Sequence, residues 1–258
     1  RLVTILLLTI AFAACKKEDK TVTSLAPAKP VPYLNKVVVF DTIQKAEKMR
    51  DSFSIDETGE LSFVVSGRYS SYGLYHYTFN VFSRDKKGNI VKAASDGQWY
   101  YPVHYEFEYD INGNISKSKL VVNGSAYGEK NYTYDTQNRL LTEQYAPAYE
   151  ALGRSYYRTF TYRDGSTNPA TITETTSDAK TYVAYLYSYD NKRNPFTTLP
   201  RLLYYMDIGE LARNNVVSIS VRDENNTTTN LYRYDANNLP FDKQDNKGNQ
   251  YKFYYGNR

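Results

Sequence analysis

Histidine, cysteine and tryptophan are nearly absent: the 258 residues include two His, one Cys and one Trp. A zinc centre needs three or four N, S or O ligands held together. His76 and His104 have no spaced His partner and Cys15 stands near the N-terminus, so neither a zinc site nor a Cys–His nucleophile is indicated. There is no Gly-x-Ser-x-Gly elbow and no glycine-rich loop to cradle a phosphate. Basic runs are missing too. Lys and Arg number 32 against 28 Asp and Glu, interspersed, giving a net charge of +4. Nucleic-acid binders gather their basic residues on one face, so no nucleic-acid partner is expected and the charges read as a solvated surface. The one long apolar run, residues 2–12, is shorter than the ~20 residues that cross a bilayer.

Tyrosine is what the chain has instead, 28 of it, within 16% aromatic residues. Hydrophobic residues at 41% and charged residues at 23% make a globular composition, and the length suffices for a sizeable core. Tyrosine buries a large ring while its hydroxyl seeks a partner or water. A Tyr-rich fold is therefore expected to be thin, with many rings half exposed.

The tyrosines recur in a phrase: aromatic, any residue, aromatic, Asp, a short polar turn, then an apolar residue. It reads Tyr105-Glu-Phe107-Glu-Tyr109-Asp110-Ile-Asn-Gly-Asn114-Ile115 in its clearest copy. Further copies run from Tyr132 to Leu140, from Tyr185 to Asn194 and from Tyr232 to Leu239. Taking the Asp as marker, copies fall at Asp56, Asp85, Asp110, Asp135, Asp164, Asp190 and Asp235, with spacings of 29, 25, 25, 29, 26 and 45, and Asp223 marks a degenerate copy in the last interval. A near-regular repeat of this size signals an array of units packed on their neighbours. Tyr105, Phe107 and Tyr109 alternate with Glu106 and Glu108, the period of a strand. The Asp caps backbone amides, while Gly and Asn accept positive φ. Ile115–Val122 then reads as the return strand, and Asn123-Gly124 as the next turn.

The pattern predicts an all-β fold: a long antiparallel meander of roughly a dozen strands. Because strands twist, such a sheet has to curl, close or fold into two layers. A curled, twisted sheet with its Tyr-rich face inward is expected. Two places break the rhythm. Asn194-Pro-Phe196 leads into Pro200–Ala212, where Leu203, Met206 and Leu211 fit one helical face, giving one short helical insertion near 200–213. Tyr145–Gly153 is a second irregular insertion.

At the N-terminus, the apolar run follows Arg1 and ends in Ala13-Ala14-Cys15. This resembles a bacterial lipoprotein signal, which implies cleavage before Cys15 and lipidation of that cysteine. An ordinary secreted protein with a stray thiol is the alternative. Residues 1–14 are expected to be the signal peptide, 15–34 the lipidated Cys and a polar, Pro-containing tether, and 35–258 a single repeat domain. The mixed charges after the cysteine resemble lipoproteins of the Bacteroidota. The repeat units resemble the YD repeats of Rhs-type proteins, which build β-sheet shells. They resemble more closely a family of uncharacterised Bacteroidota lipoproteins carrying the same Tyr-x-Tyr-Asp phrase and an Asn-Pro-Phe segment. The resemblance covers most of residues 50–258 and implies an outer-membrane lipoprotein, periplasmic or surface-exposed. It does not carry over a toxin-enclosing role, since the chain lacks the enlarged shell and the C-terminal toxin.

Candidate chemistry is sparse. Glu106 and Glu108 share a strand face about 7 Å apart, a spacing that is weak evidence for a glycosidase pair. Asp110-x-Asn112-Gly-Asn114 imitates half a calcium loop, but Lys117 and Lys119 follow where a further acid is needed, and turn capping explains it. Asp245–Asn249 reads the same way. No catalytic residue, metal or cofactor is assigned. Rings outside the phrase, Trp99, Tyr100, Tyr101, Tyr156 and Tyr157, are the candidate ligand-binding residues, because exposed aromatic patches mark interaction sites. The sequence reading is a non-catalytic, lipid-anchored binding or scaffolding module for a glycan or an envelope protein. A carbohydrate-active hydrolase using Asp or Glu is the alternative, and a structural surface-layer component the third possibility.

Overall fold

The computed structural model of the protein describes residues 32–56, 58–70, 73–95, 102–149, 154–176, 182–205, 211–222 and 226–257. Among these residues there are seventeen strands. The first ten are β1 (Pro32–Asp41), β2 (Ala46–Ile55), β3 (Leu61–Ser70), β4 (Gly73–Phe79), β5 (Val81–Arg84), β6 (Ile90–Ala94), β7 (Val103–Tyr109), β8 (Ile115–Val122), β9 (Ser125–Tyr134) and β10 (Leu140–Pro147). Then come β11 (Tyr156–Tyr162), β12 (Pro169–Thr176) and β13 (Tyr182–Arg193). A 3-10 turn at Pro195–Thr198 and a single helical turn, α1 (Leu202–Tyr205), precede β14 (Asn214–Val221), β15 (Thr227–Tyr234), β16 (Pro240–Asp245) and β17 (Asn249–Asn257).

The strands form one antiparallel sheet that curls into a nearly closed barrel. β1 pairs with β2 on one side and with β17 on the other, from Pro32 opposite Asn257 to Asp41 opposite Asn249. Joining first strand to last removes the edges those two strands would otherwise present, and with them exposed ladders that invite aggregation. β4 pairs with β3, β5 pairs with β6, and only Asn80 separates β4 from β5. They act as two segments of one long strand that passes the sheet from one partner to the next. The expected meander is therefore present, with its Tyr-rich face inside.

One end of the barrel is built by the Asp turn. In the clearest copy Asp110 Oδ1 accepts the amides of Asn112 (2.9 Å) and Asn114 (2.8 Å). The Asp110 amide bonds to Asn114 O, and Gly113 N–H returns to Asp110 O. Gly113 sits at φ 81, which glycine adopts without strain; Asn138 and Asn238 fill the same place at φ 58 and 60. Asp56, Asp85, Asp135 and Asp235 repeat the arrangement. Asp245 repeats it at the opposite end of the barrel. Asp164 departs from it: there Ser166 N–H donates to Arg163 O, and Gly165 takes the positive φ. The Gly165-Ser166-Thr167-Asn168 spacing places the glycine directly after the Asp instead of three residues on.

A register slip accompanies six of the turns, though not the Asp245 turn. Tyr109 opposes Ile115 while Glu108 opposes Lys117, so Ser116 bulges; the same slip recurs beside Ile55, Arg84, Tyr134, Tyr162 and Tyr234. A bulge interrupts the ladder and sharpens strand twist, which favours curling. Nearby carbonyls take tyrosine hydroxyls as donors. Tyr109 donates to Ile90 O (2.7 Å), Tyr134 to Ile115 O (2.8 Å), Tyr162 to Leu140 O (2.9 Å), Tyr189 to Pro169 O (2.6 Å) and Tyr255 to Pro240 O (2.7 Å). Each acceptor is the first residue after the preceding Asp turn at that end of the barrel. The last aromatic of the phrase thus latches one hairpin to its neighbour.

Between the latches the interior fills with apolar side chains. Leu34, Val37, Phe53, Val64 and Ala93 are fully buried, with Phe79, Phe107, Ile115 and Phe160 close behind. Each buried Val, Leu or Phe contributes about 1.5–3 kcal/mol relative to exposure.

Candidate functional site

The insertion between β13 and β14 enters the barrel from the Asp-turn end and plugs it. Asn194, buried, starts the entry: its Oδ1 accepts Phe196 N–H, and its Nδ2 donates to Ala212 O. Pro195 sits in the first turn, where its missing N–H leaves nothing unpaired. Thr198 Oγ1 accepts the Leu34 amide at 2.8 Å, tying the insertion to β1. Leu199, Leu202 and Tyr205 are buried in the core. Tyr205 meets the ring of Tyr132 edge-on, centroids 4.5 Å apart, and its hydroxyl bonds to that of Tyr134. Among the described residues of the expected helix over 200–213 there is one helical turn, preceded by the 3-10 turn, and residues 206–210 lie outside them. The anchoring residues are Leu199, Leu202 and Tyr205; Leu211 is 39% exposed, and Met206 lies outside the described residues.

Asp190 holds the two strands that flank the plug. Its Oδ1 accepts the amide of Lys192 on the way out and that of Asn215 on the way back. It therefore does for the 20 residues between β13 and β14, residues 194–213, what its counterparts do for a five-residue turn. Tyr234 departs from the latch pattern here. Its hydroxyl bonds to Asp190 Oδ2 instead, with buried Asn215 beside both. Burial and the neighbouring Asp190 carboxylate push the Tyr234 phenol pKa upward.

Beside the plug, a cavity of about 300 Å³ opens inside the β10–β14 arc. Phe160, Tyr185, Tyr187 and Tyr189 line it, with Glu143 and Arg158, and Leu211 and Ala212 close its plug side. The tyrosines facing it are only half-buried, although they point into the barrel. The rings of Tyr187 and Tyr189 lie near parallel, 15° apart, with centroids separated by 6.3 Å. Arg158 bridges two carboxylates: its Nε donates to Glu174 (2.7 Å) and its Nη1 to Glu143 (3.1 Å). Burial opposes the Arg158 charge, but Tyr156, Glu143 and Glu174 outweigh it and raise its pKa. Tyr156 donates to Glu143 (2.7 Å), and its ring carries the guanidinium at 4.3 Å.

The aromatic residues singled out by sequence are not gathered into one surface. Trp99, Tyr100 and Tyr101 lie outside the described residues. Tyr156 and Tyr157 are strand neighbours and so point to opposite faces. Tyr156 faces inward into the Glu143–Arg158 cluster, while Tyr157 stands on the outer wall, 45% exposed. His104 and Glu106 pair at 3.0 Å, with Lys119 at 3.7 Å from Glu106. The hydrogen bond from His104 holds the Glu106 carboxyl below its ordinary pKa. Glu106 thus belongs to an ion-paired wall. Sequence reasoning missed Glu143, Arg158 and the three tyrosines Tyr185, Tyr187 and Tyr189 as one group. A weak signal was present in that copy of the phrase, whose alternating positions are all tyrosine.

No protein-family model matches the chain, and no curated protein matches it. Among solved structures, a porin-like protein from Bacteroides uniformis ATCC 8492 aligns over 86% of this chain and 96% of its own, at 12% identity and a TM-score of 0.58. At that identity the likeness shows the fold alone. A porin-like protein from Bacteroides vulgatus ATCC 8482 aligns over 88% of this chain and 99% of its own, at 14% identity and a TM-score of 0.38. The TcdB2-TccC3-Cdc42 complex aligns over 84% of this chain at 16% identity and a TM-score of 0.37, and this chain spans only 14% of that one.

Proposed function

We propose that the protein is a lipid-anchored envelope module whose barrel stands in water and binds or scaffolds, without pore or hydrolase activity. The observation that carries this reading is the direction of the alternation. A barrel in a bilayer turns an apolar band outward and a polar face inward. Here Tyr and Phe point inward, and the wall carries Lys117 paired with Glu129 (3.1 Å), Lys119 with Glu106, and Thr159, Thr161, Thr171 and Thr173 on β11 and β12. Such a wall is at home in water. The likeness to the porin-like Bacteroides uniformis protein therefore extends to this chain as a barrel fold, with an alternation opposite to that of a bilayer-spanning barrel.

The disposition of carboxylates supports binding over hydrolysis. The turn aspartates are taken up by backbone amides, and Glu106 by His104 and Lys119. Glu143 and Glu174 face the interior, but Arg158 lies between them and holds both, where a two-carboxylate glycosidase needs its scissile bond. Membership of the YD-like Bacteroidota lipoproteins would place the anchor at Cys15, and several acyl chains there would hold the protein stably.

Membrane fractionation of the full chain against Cys15→Ser tests the reading. The parent is expected in the membrane pellet and the variant in the soluble fraction without detergent. A variant that still needs detergent, or a parent that is already soluble, overturns it.

A further inference from the structure

We propose that the cavity inside the β10–β14 arc is the ligand site, and that it takes one neutral sugar ring of a glycan. This rests on the binding-module reading above and gives it a location. The cavity volume of about 300 Å³ is at the small end of ligand pockets, enough for a single ring rather than a chain.

Three features select the ligand class. First, the tyrosine faces of Tyr185, Tyr187 and Tyr189 line the cavity yet are incompletely buried, so their rings keep apolar area that a ligand's C–H face can cover. Second, each charged group in the cluster already has an internal partner, Arg158 lying between Glu143 and Glu174. An organic cation would be drawn to aromatic faces, but the protein's own guanidinium already sits over Tyr156 at 4.3 Å and would repel a second cation. An anion would seek Arg158, whose Nε and Nη1 already serve Glu174 and Glu143. Third, a wholly apolar occupant would separate Glu143, Arg158 and the phenol edges from water with nothing added in return, which is unfavourable. A neutral polyhydroxylated ring satisfies all three. Its C–H face covers the tyrosines, and its hydroxyls donate to carboxylate oxygens that have lone pairs to spare beyond their present bonds.

Leu211, at 39% exposure, stands on the plug side of the cavity and marks where a ligand would meet the insertion. The plug then has two uses: it seals the core around Tyr132 and leaves one wall of the pocket to Leu211 and Ala212.

Saturation-transfer NMR on the full chain tests the proposal, with the methyl glycosides of glucose, galactose, mannose and N-acetylglucosamine as probes and tetramethylammonium and hexanoate as competitors. At least one glycoside is expected to show transfer to its ring C–H protons. Tyr187→Ala should weaken it about tenfold, Leu211→Trp should abolish it by filling the cavity, and Tyr157→Ala on the outer wall should leave it unchanged. If Tyr187→Ala proves unfolded, Leu211→Trp carries the test alone. No transfer from any glycoside, equal loss in Tyr157→Ala, or displacement by tetramethylammonium or hexanoate overturns the assignment. That failure is distinct from failure of the anchored, water-facing reading, which fractionation decides separately.

Discussion

Two arcs of the same barrel are lined in opposite ways. In the β1–β3 arc the inward side chains are chiefly apolar, with Leu34, Val37, Phe53 and Val64 fully buried and a buried polar pair, Ser66 donating to Asp51, among them. In the β10–β14 arc the inward side chains are chiefly tyrosines around a cavity, with Glu143, Arg158 and Glu174 in place of aliphatic residues. Both arcs obey the same alternation and both curl. The difference lies in what the tips of the side chains can do. Aliphatic and phenylalanine tips have no hydrogen bonds to make, so they collapse onto each other until voids vanish. A tyrosine latched through its hydroxyl to a backbone carbonyl, as Tyr189 is to Pro169, is held upright and cannot collapse. The latch that organises the repeat is thus also what leaves room inside it.

Denaturant unfolding of Phe53→Ala and Tyr187→Ala breaks or sharpens this contrast most directly. Phe53→Ala should lose about 3–5 kcal/mol, the range for a fully buried phenylalanine, and Tyr187→Ala about 1 kcal/mol, because its ring already borders empty space. Equal losses would mean that the two arcs are packed alike.

The next effect contrasts the plugged turn with an ordinary one. Asp190→Ala removes the carboxylate that gathers Lys192, Asn215 and Tyr234, and should destabilise by about 2 kcal/mol, in line with lost hydrogen bonds to a charged group. Asp110→Ala removes a more exposed cap and should lose about 1 kcal/mol. Paired thermal melts would show it, and a larger loss at Asp110 would demote Asp190 from staple to ordinary turn.

Raising pH probes the latches as a set. Burial pushes the phenols of Tyr109 and Tyr162 up to about 12. A raised folded pKa contributes stability that is whole below the unfolded value near 10 and drains away as pH rises through the folded one. Circular dichroism and phenolate absorbance should therefore change together between about pH 10 and 12. Early ionisation of all tyrosines without loss of structure would show that the hydroxyls are not latched.

Lowering pH gives the smallest effect at any one group. For Asp110, Asp135 and Asp245, burial alone would raise the carboxyl pKa, but amide and side-chain donors outweigh it and lower it. Their contribution is complete above the unfolded pKa near 3.9 and is lost as pH falls through the lower folded values. Stability should be flat from neutrality to about pH 5 and decline below about pH 4. A decline that begins near neutrality would point to some other group.

Much of the fold was legible because the repeat is written in local chemistry. Asp110 caps amides two and four residues away, and Gly113 supplies a positive φ, so the turn needs nothing distant. Tyr105, Phe107 and Tyr109 mark the inner face by their spacing alone. The candidate site was much less legible. Tyr156 and Tyr157 read as a pair in sequence, yet strand geometry sends them to opposite faces. Glu143 meets Arg158 only because β10 and β11 pair in one register out of several that their polar outer residues would allow. The Asn-Pro-Phe segment could be recognised as an interruption, but nothing in its residues says that it turns inward.

The sequence by itself determined the turns, the period of two, and the choice of the tyrosine face as the interior, since each follows from residues within a few positions of one another. Tertiary structure alone decided that β17 returns to β1, that the insertion plugs the barrel through Thr198 and Tyr205, and that a cavity remains beside it. Those outcomes depend on contacts between residues as distant as Leu34 and Thr198, or Pro32 and Asn257. Their free energy appears only when the whole ring closes, and no local pattern of residues encodes it.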